Sequence, residues 1–251
     1  MEIYLDEINE PIPDEFEKYF KFIENVGSGS FGTVVKAVNL ENNNLIAVKS
    51  VNKFGAKGKP KDINKLKKEI LILKQLKHKN IVEFYGFIET SQKLYIMMEY
   101  IHNGTLKNLL EKRKYKNFTE EEASKMLECL FSAVEYLHSR EICHRDIKPE
   151  NIMFENSNDM ATLKLVDFGL SSQYFEAMDN YEFCGTLIYM APEQIDSKVY
   201  TKSIDIWSCG IIMYMVLNNG VHPIYKKGDK YNQYIQKLKK PNINFLNKLS
   251  R

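Results

Sequence analysis

A chain of 251 residues with 44% hydrophobic and 27% charged side chains has globular composition, with length for a sizeable core or two packed lobes. Its 35 basic and 33 acidic side chains leave a formal net charge of +2, a near balance that gives no case for a nucleic-acid binder. Cys129, Cys143, Cys184 and Cys209 lie far apart and form no metal-ligand pair, so free thiols filling a core are expected. The acidic start "MEIYLDEINE" lacks the positive region and apolar run of a signal peptide, and the longest apolar stretch, Ile211 to Leu217, is too short to span a bilayer. A soluble intracellular protein is the expectation.

In chain order, "FKFIENVGSGSFGTVVKAVN" reads as strand, glycine-interrupted turn and strand, and "NLIAVKSV" as a third strand. "NKFGAKGKPKD" is a loop. Asp62 is a fitting N-cap for an amphipathic helix marked by Ile63, Leu66, Ile70 and Leu73. "NIVEFYGFIE" and "KLYIMMEYI" read as two strands joined across "TSQK", followed by a hinge with Gly104 as its flexible point. The rest is helical. Thr119 and Glu122 make a capping box before a run to His138 with Ala123, Leu127, Leu130, Val134 and Leu137 on one face. Further helices are expected over about Ser203 to Leu217 and about Lys230 to Leu238, the last with Tyr231, Ile235 and Leu238 at helical spacing. Between the first two lies an irregular polar stretch, His144 to Glu193, of the kind that carries function on a helical scaffold.

Three patterns carry chemistry. Glycines 27, 29 and 32 in "GSGSFGTV" would let backbone N–H groups approach a polyphosphate, because no Cβ holds it away. Glycines also make plain hairpins, and alone this G-x-G-x-x-G leaves both readings open. A dinucleotide fold needs a helix directly after the loop, whereas Val34, Val35 and Val38 favour a strand; the G-K-[ST] order of a Walker site is absent. Lys49 in the apolar "IAVKS" calls for an anionic partner, and Glu69 in the following helix is the candidate, although both could simply point to water. Finally, "CHRDIKPENIMF" (143–154) gathers a carboxylate, cations and an amide, which suits either a polar turn or a site for a hydroxyl, a phosphate and a metal ion.

"HRDIKPEN" (144–151), "DFG" (167–169) and "APE" (191–193), after the glycine loop, Lys49 and a helix glutamate, resemble the ordered signature of eukaryotic protein kinases. The resemblance covers about Phe22 to about Ser250, and "DIKPEN" with "GT" at Gly185-Thr186 resembles the serine/threonine branch. It implies an α+β, bilobal fold with a sheet lobe over 1–101 and a mainly helical lobe over 102–251 that lacks its final helices. It implies ATP and Mg²⁺ as cofactors. Asp146 would be the catalytic base, Lys148 would steady the phosphoryl group, and Asn151 and Asp167 would hold two Mg²⁺. Gly27, Ser28, Gly29, Ser30, Phe31 and Gly32 would cover the phosphates that Lys49, held by Glu69, would meet. Val34, Ala47, Met153 and Val166 would contact the nucleotide, with Met98 behind the adenine and backbone groups of Glu99 and Ile101 on its edge. Leu73, Phe84, His144 and Phe168 would form a column; each of these apolar residues is equally an ordinary core residue.

Thr186 would pair with Asp146 and Lys148, and Asp205 would brace the HRD turn beside a buried Trp207. Glu182 stands where many kinases carry a phosphorylated residue and is expected to meet Arg145 as a weaker, permanent substitute; Ser171, Ser172 and Tyr181 are further modification candidates. Leu187 replaces a common proline, and the partner arginine of Glu193 is missing, which leaves an expensive buried charge. "TSQKLYIMMEYI" and "FCGTLIYMAPEQI" look closest to the calcium/calmodulin-dependent group. Protein substrates with Ser or Thr acceptors, no nucleic-acid partner, no membrane insertion and a cytoplasmic location with nuclear access open are the expectations. The alternative is a pseudokinase or nucleotide-binding scaffold.

Overall fold

The computed structural model describes residues 14–29, 32–54, 63–113, 118–173, 185–196 and 201–243, and the side chains of 14–16, 28–29, 63–66, 173 and 196 are not described. The chain divides into two compact units, Met1–Leu76 with Val82–Ile101, and Lys77–Ile81 with His102–Arg251.

Among the described residues the first unit is a five-stranded antiparallel sheet with two helices. A short helix, α1 (Asp14–Tyr19), leads into β1 (Phe20–Gly29), β2 (Gly32–Asn39) and β3 (Leu45–Asn52). Helix α2 (Ile63–Gln75) separates these from β4 (Phe84–Glu89) and β5 (Lys93–Glu99), and the sheet order is β1-β2-β3-β5-β4. Period-two alternation sorts the two faces. Phe22, Val35, Ala37, Ile46, Val48 and Tyr95 pack as one core cluster. The intervening residues turn the other way: Val34 pairs with Lys49, Lys36 with Ala47, Ala47 with Met98, and Lys49 with Ile96, so these share the opposite face. Helix α2 buries Glu69, Ile70, Ile72 and Leu73. Its expected cap Asp62 lies outside the described residues, as do the side chains of Ile63 and Leu66. β4 starts later than the sequence pattern suggests. Asn80–Val82 is not strand: Ile81 makes a single parallel bridge to Leu165, and the Asn80 side chain donates to the Leu163 carbonyl at 2.8 Å.

The second unit is larger and mostly helical. It contains α3 (Leu106–Lys112), α4 (Glu120–His138), α5 (Pro192–Asp196), α6 (Ser203–Leu217) and α7 (Tyr231–Lys239). Two small antiparallel ladders pair β6 (Ile142–Cys143) with β9 (Ser172–Gln173), and β7 (Ile152–Phe154) with β8 (Leu163–Leu165). At the start of α4 the Glu122 N–H donates to Thr119 Oγ1 at 3.1 Å and the Thr119 N–H to Glu122 Oε2 at 2.9 Å, which closes the expected box. All five residues expected on its inner face are buried. Helix α6 packs on α4 and is apolar nearly all round, as a central helix must be. Trp207 on it is only half-buried, because it packs at the edge of the Ala191 and Ile204 cluster. Helix α7 meets the expectation in part: Leu238 is buried and Ile235 packs on the core, whereas Tyr231 is 54% exposed and Tyr234 takes an inner place. This is an α+β protein with an antiparallel sheet unit and a larger helical unit.

Candidate active site

The glycine segment is the turn of the β1–β2 hairpin, with Gly27 opposite Val34 and Gly29 opposite Gly32. The Gly27 N–H is held by Asn25 Oδ1 at 3.0 Å. Gly32 has φ +137°, and a Cβ there would stand 2.1 Å from the Ser50 carbonyl oxygen, so only glycine fits. Ser30 and Phe31 lie outside the described residues, and nothing is described of the Ser28 side chain. No helix follows the turn, which agrees with the exclusion of a dinucleotide fold.

On the face opposite the core cluster, Lys49 Nζ meets Glu69 Oε1 at 2.7 Å, with both side chains buried. Val34, Ala47 and Met98 share that face by register and are half-buried. Ile101 is buried. The Glu99 N–H is donated to the Glu83 carbonyl at 2.9 Å, so that donor is already engaged. Leu73 is buried and Phe84 half-buried in this unit.

In the second unit the HRD segment forms a tight cluster. Asp146 Oδ2 accepts from Lys148 Nζ at 2.5 Å and from the Asn151 side-chain amide at 3.1 Å. Oδ1 accepts from the Thr186 N–H at 3.1 Å and the Thr186 hydroxyl at 3.0 Å. Lys148 Nζ also donates to Thr186 Oγ1 at 3.0 Å. Gly185 has φ +102°, and a Cβ there would come 2.7 Å from the Arg145 carbonyl, so the close approach of the 185–191 segment requires glycine. Beneath the cluster Asp205, 1% exposed, accepts from the N–H groups of His144 and Arg145, both at 2.9 Å, and its Oδ2 meets His138 Nε2 at 2.8 Å. Arg145 and Asp167 hold left-handed φ values of 68° and 62°, a strain that packed surroundings must sustain and that gathers at working sites.

His144 accepts the Asp146 N–H on Nδ1 at 3.3 Å, so its Nε2 carries the proton and donates to the Val166 carbonyl at 3.1 Å. Its ring meets Phe168 edge-on at 4.9 Å, and Phe168 is buried. Met153 and Val166 are half-buried, with Met153 bridged to Thr105 and the Val166 N–H donated to the Asn151 carbonyl. Arg145 Nε donates to the Leu170 carbonyl at 2.5 Å; its expected partner Glu182, with Tyr181, lies outside the described residues.

The residues present fit a hard cation. The Asn151 side-chain nitrogen donates to both the carbonyl and Oδ2 of Asp146, so the amide oxygen is what Asn151 can offer, and Asp167 adds a carboxylate. Mg²⁺ takes few protein oxygens beside water and phosphate, which suits so small a set. Among the described residues no cluster of three His, Cys, Asp or Glu could hold a metal unaided. Cys143, beside the HRD segment, is no nucleophile: burial, and then the Asp205 charge, push its thiol up to about 12.

Two expectations are corrected. Glu193 is half-buried and accepts from the Ser203 hydroxyl at 3.3 Å, so it is not a stranded charge. Ser171 and Ser172 are buried, with the Ser171 hydroxyl donated to the His144 carbonyl at 3.3 Å, so neither offers an exposed hydroxyl. The sequence reading also missed His138, His222 and Tyr234. The signal for His138 was weak, since its partner Asp205 stands 67 residues away.

Residues 20–250 match the protein kinase domain family. Calcium-dependent protein kinase 5 of Plasmodium berghei is 37% identical over 228 residues, 90% of this chain and 39% of that protein. Serine/threonine-protein kinase 33 of Bos taurus is 36% identical over 241 residues, 93% of this chain and 48% of that protein. Myosin light chain kinase A of Dictyostelium discoideum is 35% identical over 232 residues, 92% of this chain and 76% of that protein. The chain thus spans less than half the length of the first two relatives. With its match running through both the sheet unit and the helical unit, this chain belongs to the protein kinase domain family.

Proposed function

We propose that this chain is the catalytic domain of a protein serine/threonine kinase, transferring the γ-phosphate of ATP to Ser or Thr hydroxyls of protein substrates. The observation that carries the reading is the single cluster in which Lys148, Asn151 and Thr186 all hold the Asp146 carboxylate. A carboxylate so fixed can accept the hydrogen bond of an incoming hydroxyl and aim its oxygen at the terminal phosphorus. As that oxygen bonds phosphorus and the bridge to the diphosphate breaks, the proton passes to Asp146. Lys148 stands where its ammonium can turn to the transferring oxygens. Lys49, held by Glu69, and the glycine hairpin serve the phosphates, and the Val34, Ala47 and Met98 face serves the purine. Mg²⁺, offered oxygens by Asn151 and Asp167, would supply neutralisation of the charge on the phosphates. With this reading goes a cytoplasmic location, nuclear access left open, in which free thiols would stay reduced.

Incubation with labelled ATP, Mg²⁺ and a serine/threonine peptide library tests this. Transfer is expected to fall at least about a hundredfold in Asp146→Asn and in Asp167→Asn. Nucleotide bound without labelling in wild type and both variants would sink the transferase and favour the scaffold.

A further inference from the structure

Beyond the HRD cluster, the segment from Gly185 to Ala191 is fastened at almost every step, and one fastening has no part in the chemistry above. Leu187–Tyr189 form a single 3₁₀ turn, closed by the Tyr189 N–H to the Thr186 carbonyl at 2.8 Å. The Ile188 carbonyl in that turn accepts twice, from His222 Nε2 at 2.8 Å and from the Tyr234 hydroxyl at 3.0 Å. The next carbonyl, of Tyr189, accepts from the Ser208 hydroxyl at 2.9 Å. Three separate elements therefore hold two consecutive carbonyls: the loop after α6, α7, and α6 itself.

His222 is built for the task. Its Nδ1 accepts the N–H groups of Ile224 at 3.1 Å and Tyr225 at 2.8 Å. With Nδ1 occupied as an acceptor, the proton sits on Nε2 and points at Ile188. The ring stands edge-on to Tyr189 at 5.8 Å and to Tyr234 at 6.4 Å, which fixes its plane. Leu187 and Ile188 also pack against the buried Ile224, Tyr234 and Leu238, and an open cavity of about 700 Å³ lined in part by Ile188, Tyr189, His222 and Tyr225 lies beside the turn, so the hydrogen bonds add direction to that packing.

We propose that His222 and Tyr234 are positioning residues for the protein substrate, clamping the Ile188 carbonyl so that the turn following Thr186 presents a fixed edge to the acceptor peptide. This rests on the transferase reading and deepens it. Thr186 binds Asp146 and the Leu187–Tyr189 turn follows it directly, so this backbone adjoins the place where an acceptor hydroxyl would sit. The clamp touches no group assigned to the nucleotide. Loosening it therefore affects peptide binding and leaves ATP binding alone.

The test measures KM for ATP and KM for the best-labelled library peptide in Tyr234→Phe, His222→Gln and His222→Leu. Tyr234→Phe keeps the ring and removes only the donor; His222→Gln keeps a donor at the Nε2 position; His222→Leu removes it. Peptide KM is expected to rise about fivefold in Tyr234→Phe and in His222→Leu, the worth of one hydrogen bond, with ATP KM unchanged and with a smaller rise in His222→Gln, which keeps the Nε2 donor and loses the Nδ1 acceptor. Equal rises in both KM values, or a peptide KM in Tyr234→Phe within twofold of wild type, would overturn the clamp while leaving the transferase standing. A wild-type chain that labels no peptide sinks the transferase reading and the substrate role with it. Should His222→Leu fail to fold, Tyr234→Phe decides alone.

Discussion

Lys49 and Glu69 sit where neither charge could stand alone, with side chains only 8% and 4% exposed. Each ion loses most of its hydration there, and each neutralises the other. Lys49→Met is therefore expected to lower the unfolding free energy by about 3 kcal/mol, since it strands the Glu69 charge. Lys49→Met with Glu69→Leu should recover most of that loss, as urea unfolding of the three proteins would show. An additive double mutant would mean that the two charges are not coupled. This pair was legible because an ammonium inside "IAVKS" demands an anion and Glu69 was the central acid of the next helix. The Glu193 expectation failed for the opposite reason: its observed partner is a neutral hydroxyl, Ser203, which no search for a cation would find.

Among the elements, α4 was legible down to its cap because Thr119 and Glu122 spell a standard box. Helix α3 was read as hinge. It has the same reciprocal box, but Asn108 replaces the acid or glutamine and so hid it: the Thr105 N–H goes to Asn108 Oδ1 at 3.0 Å and the Asn108 N–H to Thr105 Oγ1 at 3.2 Å. Helix α7 was found, with Ile235 and Leu238 on its inner side as their spacing suggests, but Tyr231 lies outward and Tyr234 inward. Tyr231, Ile235 and Leu238 make one apolar stripe and Tyr234 with Leu238 another; the Tyr234 hydroxyl has the half-buried Ile188 carbonyl to reach.

The loop before α7 carries a pH dependence. Burial lowers the His222 pKa from 6.5 to about 4, partly offset by its bond to Ile188. The unfolded chain therefore binds a proton here more readily than the folded one. Stability from this site is complete above pH 6.5 and is lost as pH falls from 6.5 through about 4, on the order of 3 kcal/mol in all. Tyr189 and Tyr234, which face the ring, are both pushed upward by burial, Tyr234 to about 12, so neither titrates in that window. Tyr225, Lys226 and Lys227 line the same cavity. Urea midpoints measured from pH 7 to pH 4 should fall less steeply in His222→Gln than in wild type; parallel curves would remove His222 from the acid limb.

At the scale of the whole molecule, the two units were visible in the sequence as a change of period, from strands to helices. Their membership was not. Residues Lys77–Ile81 belong to the second unit although the chain runs from α2 before them to β4 after them in the first. "NIV" looked like the start of a strand because Ile81 and Val82 are apolar and β-branched. Their burial comes from elsewhere: Ile81 bridges Leu165, and the Leu165 N–H is donated to the Asn80 carbonyl at 2.9 Å. Ile81 is 2% exposed, so Ile81→Ala is expected to cost about 3 kcal/mol. Native-state amide exchange should show the loss at β8 rather than at β2 and β3; faster exchange confined to the large sheet would contradict the assignment.

That excursion means the gene has no clean seam. A cut after Ile101 hands residues 77–81 to the wrong half, leaving the helical piece without the partner of its Leu165 edge and the sheet piece with a mostly polar strap whose one apolar residue, Ile81, has lost its cover. Any chimera or split reporter built from this protein has to graft those few residues across the join.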